Sequence, residues 1–385
     1  MEDINKIYGL YIHIPFCDHI CAYCDFTKMI ANDDRKEKYM SSLIKEAKYK
    51  ANNFKDLKSI YIGGGTPSSL SFDLLERLLN ELSKLINLSN IQEFTFEANP
   101  NDINDDNIDN WIDLFNKYHI NRISLGIQSF NNKKLSYLRR NHNKKIAIHA
   151  LDLLHNHHFN NVNCDLIYGL YKDKYINILK DMKIAIKHHV KHISYYSLIL
   201  EEKTILYDLF KKGQIIEMDG DKESKYYYKI VKFLSKHHFN QYEISNFSKD
   251  GYQSYHNLLT WNNMHYAAIG ISASSYIDNI RSTNTNKIND YINLINENRF
   301  DEIIKEKNVL SKDEIIYEAL ILGLRKKEGI NLNEFKERYN EDLLVYYKNI
   351  NNLIKDNILE IKDGNLRILC DKIYLENAII NKIID

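Results

Sequence analysis

Between residues 7 and 197 the chain alternates short β-rich runs with helix-period patterns, and no other feature limits its possible folds as strongly. Runs of β-branched and aromatic residues at 7–14, 59–62, 93–98, 120–126, 161–168 and 190–197 read as strands. Between them, Met40, Leu43, Ile44 and Ala47, and then Leu75, Leu78, Leu79, Leu82 and Ile86, recur at the spacing of one helix face. Strand–helix alternation implies a parallel sheet with right-handed crossovers. Six such units predict an α/β fold with a partial (β/α)6 barrel, open where an eight-fold barrel would close.

Past residue 197 the regularity loosens. Helical stretches are expected near 204–212 and 219–237, followed by the aromatic, Asn-rich passage YEISNFSKDGYQSYHNLLTWNN. Ser311 and Glu314 form a capping-box signature that opens a new helix. Two further helical patterns and an Asp363-Gly364 hairpin signal predict a small winged-helix-like C-terminal domain. The expected division is 1–240, 241–310 and 311–385.

Composition excludes several classes. Among 385 residues, 52 Lys and Arg balance 52 Asp and Glu, which removes the electrostatic case for nucleic-acid or anionic-membrane binding. No apolar run is long enough to span a bilayer, and the start has no apolar core of a secretory signal, so a cytoplasmic protein is expected. The five cysteines do not suit a disulfide framework: Cys17, Cys21 and Cys24 crowd into eight residues, with Cys164 and Cys370 isolated. Cys164 is expected to be a small core hydrophobe and Cys370 to be structural. His155, His157 and His158, with His188, His189 and His192, are read as helix-end residues favoured by the dipole, not as a metal site.

In parallel α/β barrels chemistry collects at the C-terminal ends of the strands, where every unusual motif of this chain falls. Cys17-x3-Cys21-x2-Cys24 follows the first strand, and Gly63-Gly64-Gly65-Thr66-Pro67 follows the second. Glu97, Gln128 and Asp165 belong to the third, fourth and fifth, and Tyr196-Ser197 end the sixth. Three neighbouring thiolates can hold three irons of a [4Fe–4S] cube and leave the fourth iron open. Zinc competes for them, with His13, His19 or Asp25 as a fourth ligand. The glycine run lets backbone approach a ligand closely. Glu97, Gln128, Arg140 and Asp165 are polar residues suited, as a set, to a ribose, a carboxylate and an adenine.

The segments YIHIPFCDHICAYCDF, IYIGGGTPSSLS, FTFEANP, NRISLGIQSFN, DLIYGL, YYSLILEEKT and YEISNF resemble the radical S-adenosylmethionine (SAM) family of oxygen-independent coproporphyrinogen III oxidases. Within it they resemble the heme-chaperone branch, from about residue 7 to the C-terminus. The resemblance implies a [4Fe–4S] cluster on Cys17, Cys21 and Cys24, whose open iron is chelated by SAM. It implies SAM contacts at Tyr11, Tyr23, Gly64, Gly65, Thr66, Glu97, Gln128, Arg140, Asp165 and Ile199. One electron from the cluster would cleave the sulfonium to methionine and a 5′-deoxyadenosyl radical.

Two positions separate the branches. The oxidases carry a further cysteine two residues after the third ligand, where this chain has Phe26. The chaperone branch has a His-Asn-x-x-Tyr-Trp heme element, matched here by His256, Asn257 and Trp261, with Thr260 in place of Tyr. The resemblance therefore implies heme as a further ligand, a heme-acceptor protein, and an electron donor such as flavodoxin or ferredoxin. It also implies a peripheral membrane contact through the acceptor. Two alternatives are kept: a coproporphyrinogen III oxidase, and a zinc-containing nucleic-acid-binding protein, against which the balanced charge argues.

Overall fold

The computed structural model describes residue 3 and residues 6–384. Six strands, β1 (Ile7–Ile14), β2 (Ser59–Gly64), β3 (Glu93–Ala98), β4 (Arg122–Gln128), β5 (Val162–Tyr168) and β6 (His192–Ser197), lie side by side in chain order and all parallel. Helices α1 (Asp33–Tyr49), α2 (Phe72–Leu85), α3 (Ile108–Lys117), α4 (Asn132–Tyr137), α5 (Lys144–Asn156) and α6 (Tyr175–Lys187) form the crossovers. The helix faces marked by Met40, Leu43, Ile44 and Ala47 and by Leu75, Leu78, Leu79 and Leu82 are buried as their spacing requires. The expected barrel strands all form, with bounds that move by two residues at most.

Side-chain alternation explains why the barrel is hollow. Ile60, Ile62, Phe94, Phe96, Ile123, Leu125, Cys164, Leu166, Ile193 and Tyr195 point outward into one apolar core and are at most 2% exposed. Their neighbours Ser59, Tyr61, Glu93, Thr95, Glu97, Arg122, Ser124, Asn163, Asp165, His192 and Ser194 point the other way. A parallel sheet covered on both faces would be apolar on both. This one is apolar only towards its helices, and its inner face carries a hydrogen-bonded polar column. His192 belongs to that column, bonded to Asn163 Oδ1 (2.6 Å) and Tyr242 Oη (2.8 Å), so it is a lumen residue and not a helix-end one. His188 does cap α6 and reaches Asp152 at 2.5 Å.

The sheet is larger than the sequence reading foresees. Beyond α7 (Ile205–Lys211) and α8 (Gly220–Lys236), β7 (Asn240–Gln241) and β8 (Asn246–Ser248) extend it past β6. After α9 (Tyr255–Trp261), β9 (His265–Ile269) pairs in parallel with β1. Next come β10 (Ser274–Ile277), β11 (Ile280–Asn284), α10 (Ile288–Asn296) and β12 (Ile304–Val309). The three strands continue antiparallel beyond β9, giving a sheet of 12 strands among the described residues. These added strands are two to six residues long and mostly polar, so no alternation marks them locally.

The C-terminal region opens with α11 (Lys312–Arg325), whose Ser311–Glu314 capping box forms in both directions. It holds a separate sheet of β13 (Ile330–Asn331), β14 (Leu359–Lys362) and β15 (Asn365–Ile368). Asp363 and Gly364 turn the hairpin with φ of 52° and 78°. Four further α-helices follow α11 among the described residues, more than the three in total that were expected. Cys164 is fully buried; Cys370, expected to be structural, is exposed in the turn after β15. Among the described residues no helix is long and apolar enough to cross a membrane.

A buried carboxylate fastens the added strands to the barrel. Glu46 of α1 is fully buried and accepts from Gly270 N (2.8 Å), Asn284 Nδ2 (2.9 Å), Tyr291 Oη (2.5 Å) and Lys50 Nζ (2.6 Å). Glu46→Ala strands these donors together, so it is expected to lower unfolding free energy by about 3–5 kcal/mol. A urea melt showing a loss under about 1 kcal/mol would contradict that account.

Candidate functional site

A cavity of about 370 Å³ opens at the C-terminal ends of the barrel strands, and Cys17, Cys21 and Cys24 all line it. Their loop leaves β1 and is held from three sides. Cys17 N donates to Met29 O (3.0 Å), Ala22 N to Leu138 O (3.0 Å), and Leu206 N to Ala22 O (3.0 Å). A satellite apolar cluster of Ala22, Leu138, Ile167, Leu170 and Leu206 packs beneath it. Contacts with the C-terminus of α4, with β5 and with α7 thus shape the loop.

The glycine run is shaped by close approach. Gly64 has φ +115°, and a Cβ there would meet the His13 ring at 2.5 Å. A Cβ on Gly65 would meet the carbonyl oxygen of Phe16 at 2.7 Å, so this strand end can lie against the cysteine loop only without side chains. Thr66 Oγ1 then reaches Cys17 Sγ (3.5 Å) and accepts from Asn99 Nδ2 (3.1 Å).

Charge is distributed around the cavity by strand. Arg140 donates to Cys21 Sγ (3.1 Å), Asn99 Oδ1 (2.5 Å) and Gly126 O (2.7 Å), placing a cation beside the thiols. Glu97 accepts from Tyr61 Oη (2.6 Å) and Gly64 N (3.1 Å); burial pushes its pKa up to about 7 against those two bonds. Burial also raises Asp165, opposed by its bonds from Ser124 Oγ (2.9 Å) and Asn163 Nδ2 (2.8 Å). Burial drives the Cys17 thiol to about 11 and raises Cys24, so ligation of a metal must release their thiol protons. Gln128 ends β4 with φ +64°, at a register shift between Leu125 and Gln128.

The sequence-predicted residues are therefore largely gathered. Tyr23, Gly64, Gly65, Thr66 and Glu97 line the cavity with the cysteines, as do Gln128, Arg140, Asp165 and Ile199. Tyr11 is the exception among the proposed SAM contacts: it does not line the cavity, and its hydroxyl bonds His13 Nδ1 (3.0 Å). Tyr196, marked by its place at the end of the sixth strand, also lines it, while Tyr61, Asn99 and Ser124 line it without having been singled out. Asn99 stands inside the FTFEANP motif, while Tyr61 and Ser124 were signalled by the alternation that puts them on the inner face.

His256, Asn257 and Trp261 lie elsewhere, on α9 at the opposite end of the lumen. Glu93 anchors this helix, accepting from Ser254 Oγ (2.9 Å), Tyr255 N (2.7 Å) and His256 N (3.2 Å). His256 Nδ1 meets Ser59 Oγ at 2.7 Å and its ring packs 5.2 Å from Tyr61. Asn257 N donates to the N-cap Ser254, and Thr260 Oγ1 to His256 O (3.5 Å). Trp261 instead sits under the Arg325 guanidinium, 4.8 Å away. Side chains five apart on a helix point about 140° from each other, so the expected heme element does not present His256 and Trp261 on one face.

The fit to a cluster rests on the donor set. Among the described residues no three His, Cys, Asp or Glu side chains converge on one point, the arrangement a mononuclear zinc needs. A cube takes one thiolate per iron, which three thiols around a cavity can provide. A partial parallel barrel with such a triad beside a glycine loop and buried carboxylates defines a radical SAM protein. Residues 11–185 match the model of the radical SAM superfamily, and residues 310–369 match that of the HemN C-terminal domain.

The chain belongs to the family of the heme chaperone HemW. It is 36% identical to the heme chaperone HemW of Lactococcus lactis over 357 residues, 92% of each chain. Identity to that of Bacillus subtilis is 34% over 336 residues, 86% of this chain and 87% of that one. For Escherichia coli it is 34%, covering 69% of each chain. The solved structure of Escherichia coli coproporphyrinogen III oxidase (HemN), described as a radical SAM enzyme, superposes with a TM-score of 0.82 over 98% of this chain and 90% of that one. At 19% identity that likeness speaks for the fold. Membership of the superfamily implies a [4Fe–4S] cluster and SAM.

Glu97 supplies a pH signature. The folded, cofactor-free protein keeps a proton on Glu97 up to about pH 7, whereas an unfolded Glu releases it near 4.5. Folded protein thus binds more protons in that window, and its contribution to stability falls as pH rises from about 4.5 to about 7. Tyr61→Phe removes a bond to the ionised form, so the carboxyl is expected to titrate higher still. Carboxyl infrared bands followed against pH, with Glu97→Gln as the assignment, check this; a downward shift would refute it.

Proposed function

We propose that this chain is a heme chaperone that carries a [4Fe–4S] cluster and SAM in the cavity, binds heme, and passes it to an acceptor protein. The observation that carries the reading is correspondence over 92% of both chains with a heme chaperone, including the C-terminal region. Phe26, 66% exposed, supports the chaperone over an oxidase: it lines the cavity where the oxidases resembled by this sequence have a further cysteine. Three parts, 1–240, 241–310 and 311–385, divide the work between cofactors, the heme element and the C-terminal module.

Cys17, Cys21 and Cys24 hold the cluster, each releasing its thiol proton on ligation. Gly64, Gly65 and Glu97 receive an ammonium group, Thr66 and Arg140 a carboxylate, and Asp165 a pair of ribose hydroxyls. Tyr23, Gln128 and Ile199 border the remaining, ring-shaped part. Bound together, the two cofactors supply one-electron reductive chemistry, for which flavodoxin or ferredoxin is the electron donor. The chain's own share is to orient the ligand and keep water from it.

Heme is assigned to His256, Asn257 and Trp261. Burial lowers the His256 pKa to about 4, so its ring is neutral near pH 7; with Nδ1 on Ser59, Nε2 is the nitrogen left for iron. Trp261 then meets the porphyrin only after α9 shifts. The acceptor is a heme protein of the same cytoplasmic compartment or one at the membrane surface, which would bring this chain there peripherally.

Titrating the anaerobically reconstituted protein with heme is expected to give a saturable Soret band at one heme per chain, weakened in His256→Ala. Absence of saturation would shift the reading to a SAM-dependent enzyme. Coproporphyrinogen III oxidase would come first, tested by 5′-deoxyadenosine release with that substrate. Separately, Cys21→Ser is expected to abolish the cluster absorbance near ~400 nm. Asp165→Ala should weaken SAM binding with iron content unchanged. Full iron retention in the first variant, or unchanged SAM affinity in the second, would overturn the respective assignment.

A further inference from the structure

Arg122 opens β4 with its side chain in the barrel lumen, where it is only 2% exposed. Its register partner on β3 is Thr95, which places Glu93 and Glu97 to either side of it on the same inner face. A neutral bond holds it: Arg122 Nη1 donates to Thr95 Oγ1 (3.3 Å), whose hydroxyl donates in turn to Glu93 Oε1 (3.2 Å). Its Nε is buried without an acceptor. Among the described residues Arg122 forms no ion pair, unlike Arg281, which meets Glu318 at 2.7 Å. A buried guanidinium without a contacting carboxylate is costly, and an apolar side chain of similar volume would avoid that cost. Packing therefore does not account for an arginine at this position.

Its neighbours do. Burial works against the charge, but the field of the surrounding groups, Glu93 foremost and Asp165 among them, outweighs burial and raises the Arg122 pKa. The cation is kept and acts on the cavity above it. Burial pushes the Glu97 and Asp165 carboxyls up, each next to the other's charge at Glu97, and Arg122 opposes that rise at both.

The other groups facing these carboxyls cannot replace it. Tyr11 of β1 and Tyr61 of β2 face Glu97; Tyr61, Tyr23 of the cysteine loop and Tyr196 of β6 face Asp165. Burial raises all four hydroxyls, so they are neutral near neutral pH. His192 and His256, deeper in the lumen, are kept uncharged by burial, with Arg122 acting in the same direction. Arg140 lines the cavity but is engaged on its thiol side by Cys21, Asn99 and Gly126.

We propose that Arg122 is a positioning residue for the cofactor cavity: its unpaired charge in the lumen holds Glu97 and Asp165 in the ionised form that receives a cationic, hydroxyl-bearing ligand. The identity of that ligand rests on the SAM reading; the action of Arg122 on the two carboxyls does not.

The test compares Arg122→Met and Arg122→Gln, which remove the charge, with Arg122→Lys, which keeps it. SAM affinity of the anaerobically reconstituted full chain is followed by calorimetry against pH, with iron content and circular dichroism as controls of cluster and fold. Both neutral variants are expected to bind SAM about tenfold or more weaker at about pH 7, with the rise of affinity moved to higher pH. Arg122→Lys is expected to keep the wild-type profile. In the cofactor-free protein the Glu97 carboxyl infrared band, assigned with Glu97→Gln, should titrate higher in the neutral variants and not in Arg122→Lys. An unshifted band, or SAM affinity unchanged in a folded neutral variant, overturns the proposal. So does a loss in Arg122→Lys as large as in Arg122→Met, or failure of both neutral variants to fold, since either marks a structural role. Absence of SAM binding in the wild-type chain, with the band still shifted in the variants, counts against the cofactor reading alone.

Discussion

The barrel depends on one constraint: each of its inner strands must be apolar on one face and polar on the other. Phe94 and Phe96 bury against helices while Glu93, Thr95 and Glu97 between them turn inward, and β2, β4, β5 and β6 repeat the scheme. The outer face supplies the hydrophobic driving force. The inner face then has to satisfy its own polar groups, which it does through bonds that cross from strand to strand. A lumen follows, with one mouth for the cysteine loop and the other closed by α9.

Both ends of that lumen are governed by carboxylates of the same strand. Glu97 at the mouth is tied to Tyr61 and the glycine loop; Glu93 at the base is tied to the N-terminus of α9. Ser59 and Tyr61, two residues apart on β2, touch His256 and Glu97 respectively, and Tyr61 also packs on His256. The cysteine-lined cavity and His256 are thus the two ends of one short polar column. Trp261 is held outside it by Arg325, which lies between the buried carboxylates of Glu243 and Glu376.

Much of this was legible in the sequence. The six barrel strands, the faces of α1 and α2, the capping box of α11 and the Asp363-Gly364 turn each rest on local patterns a few residues long. The strands beyond β6 were missed because they are short, polar and stabilised by pairing across the sheet; β9 joins β1, more than 250 residues away. His192 was misjudged for a related reason. Its sequence neighbours His188 and His189 end a helix, but the strand that starts with His192 turns it into the lumen.

The sequence by itself determined the cysteine loop, because three cysteines at CxxxCxxC spacing and a glycine run after the next strand are local facts of chemistry and backbone freedom. It also determined the parallel alternation that brings both to one end of a barrel. Only the tertiary structure decided which polar residues face each other across the lumen, that Tyr11 stays behind His13, and that His256 and Trp261 part company. Helical geometry sends those two side chains about 140° apart. Which of them meets the lumen and which the C-terminal region depends on contacts with Ser59 and Arg325, far from both in the chain.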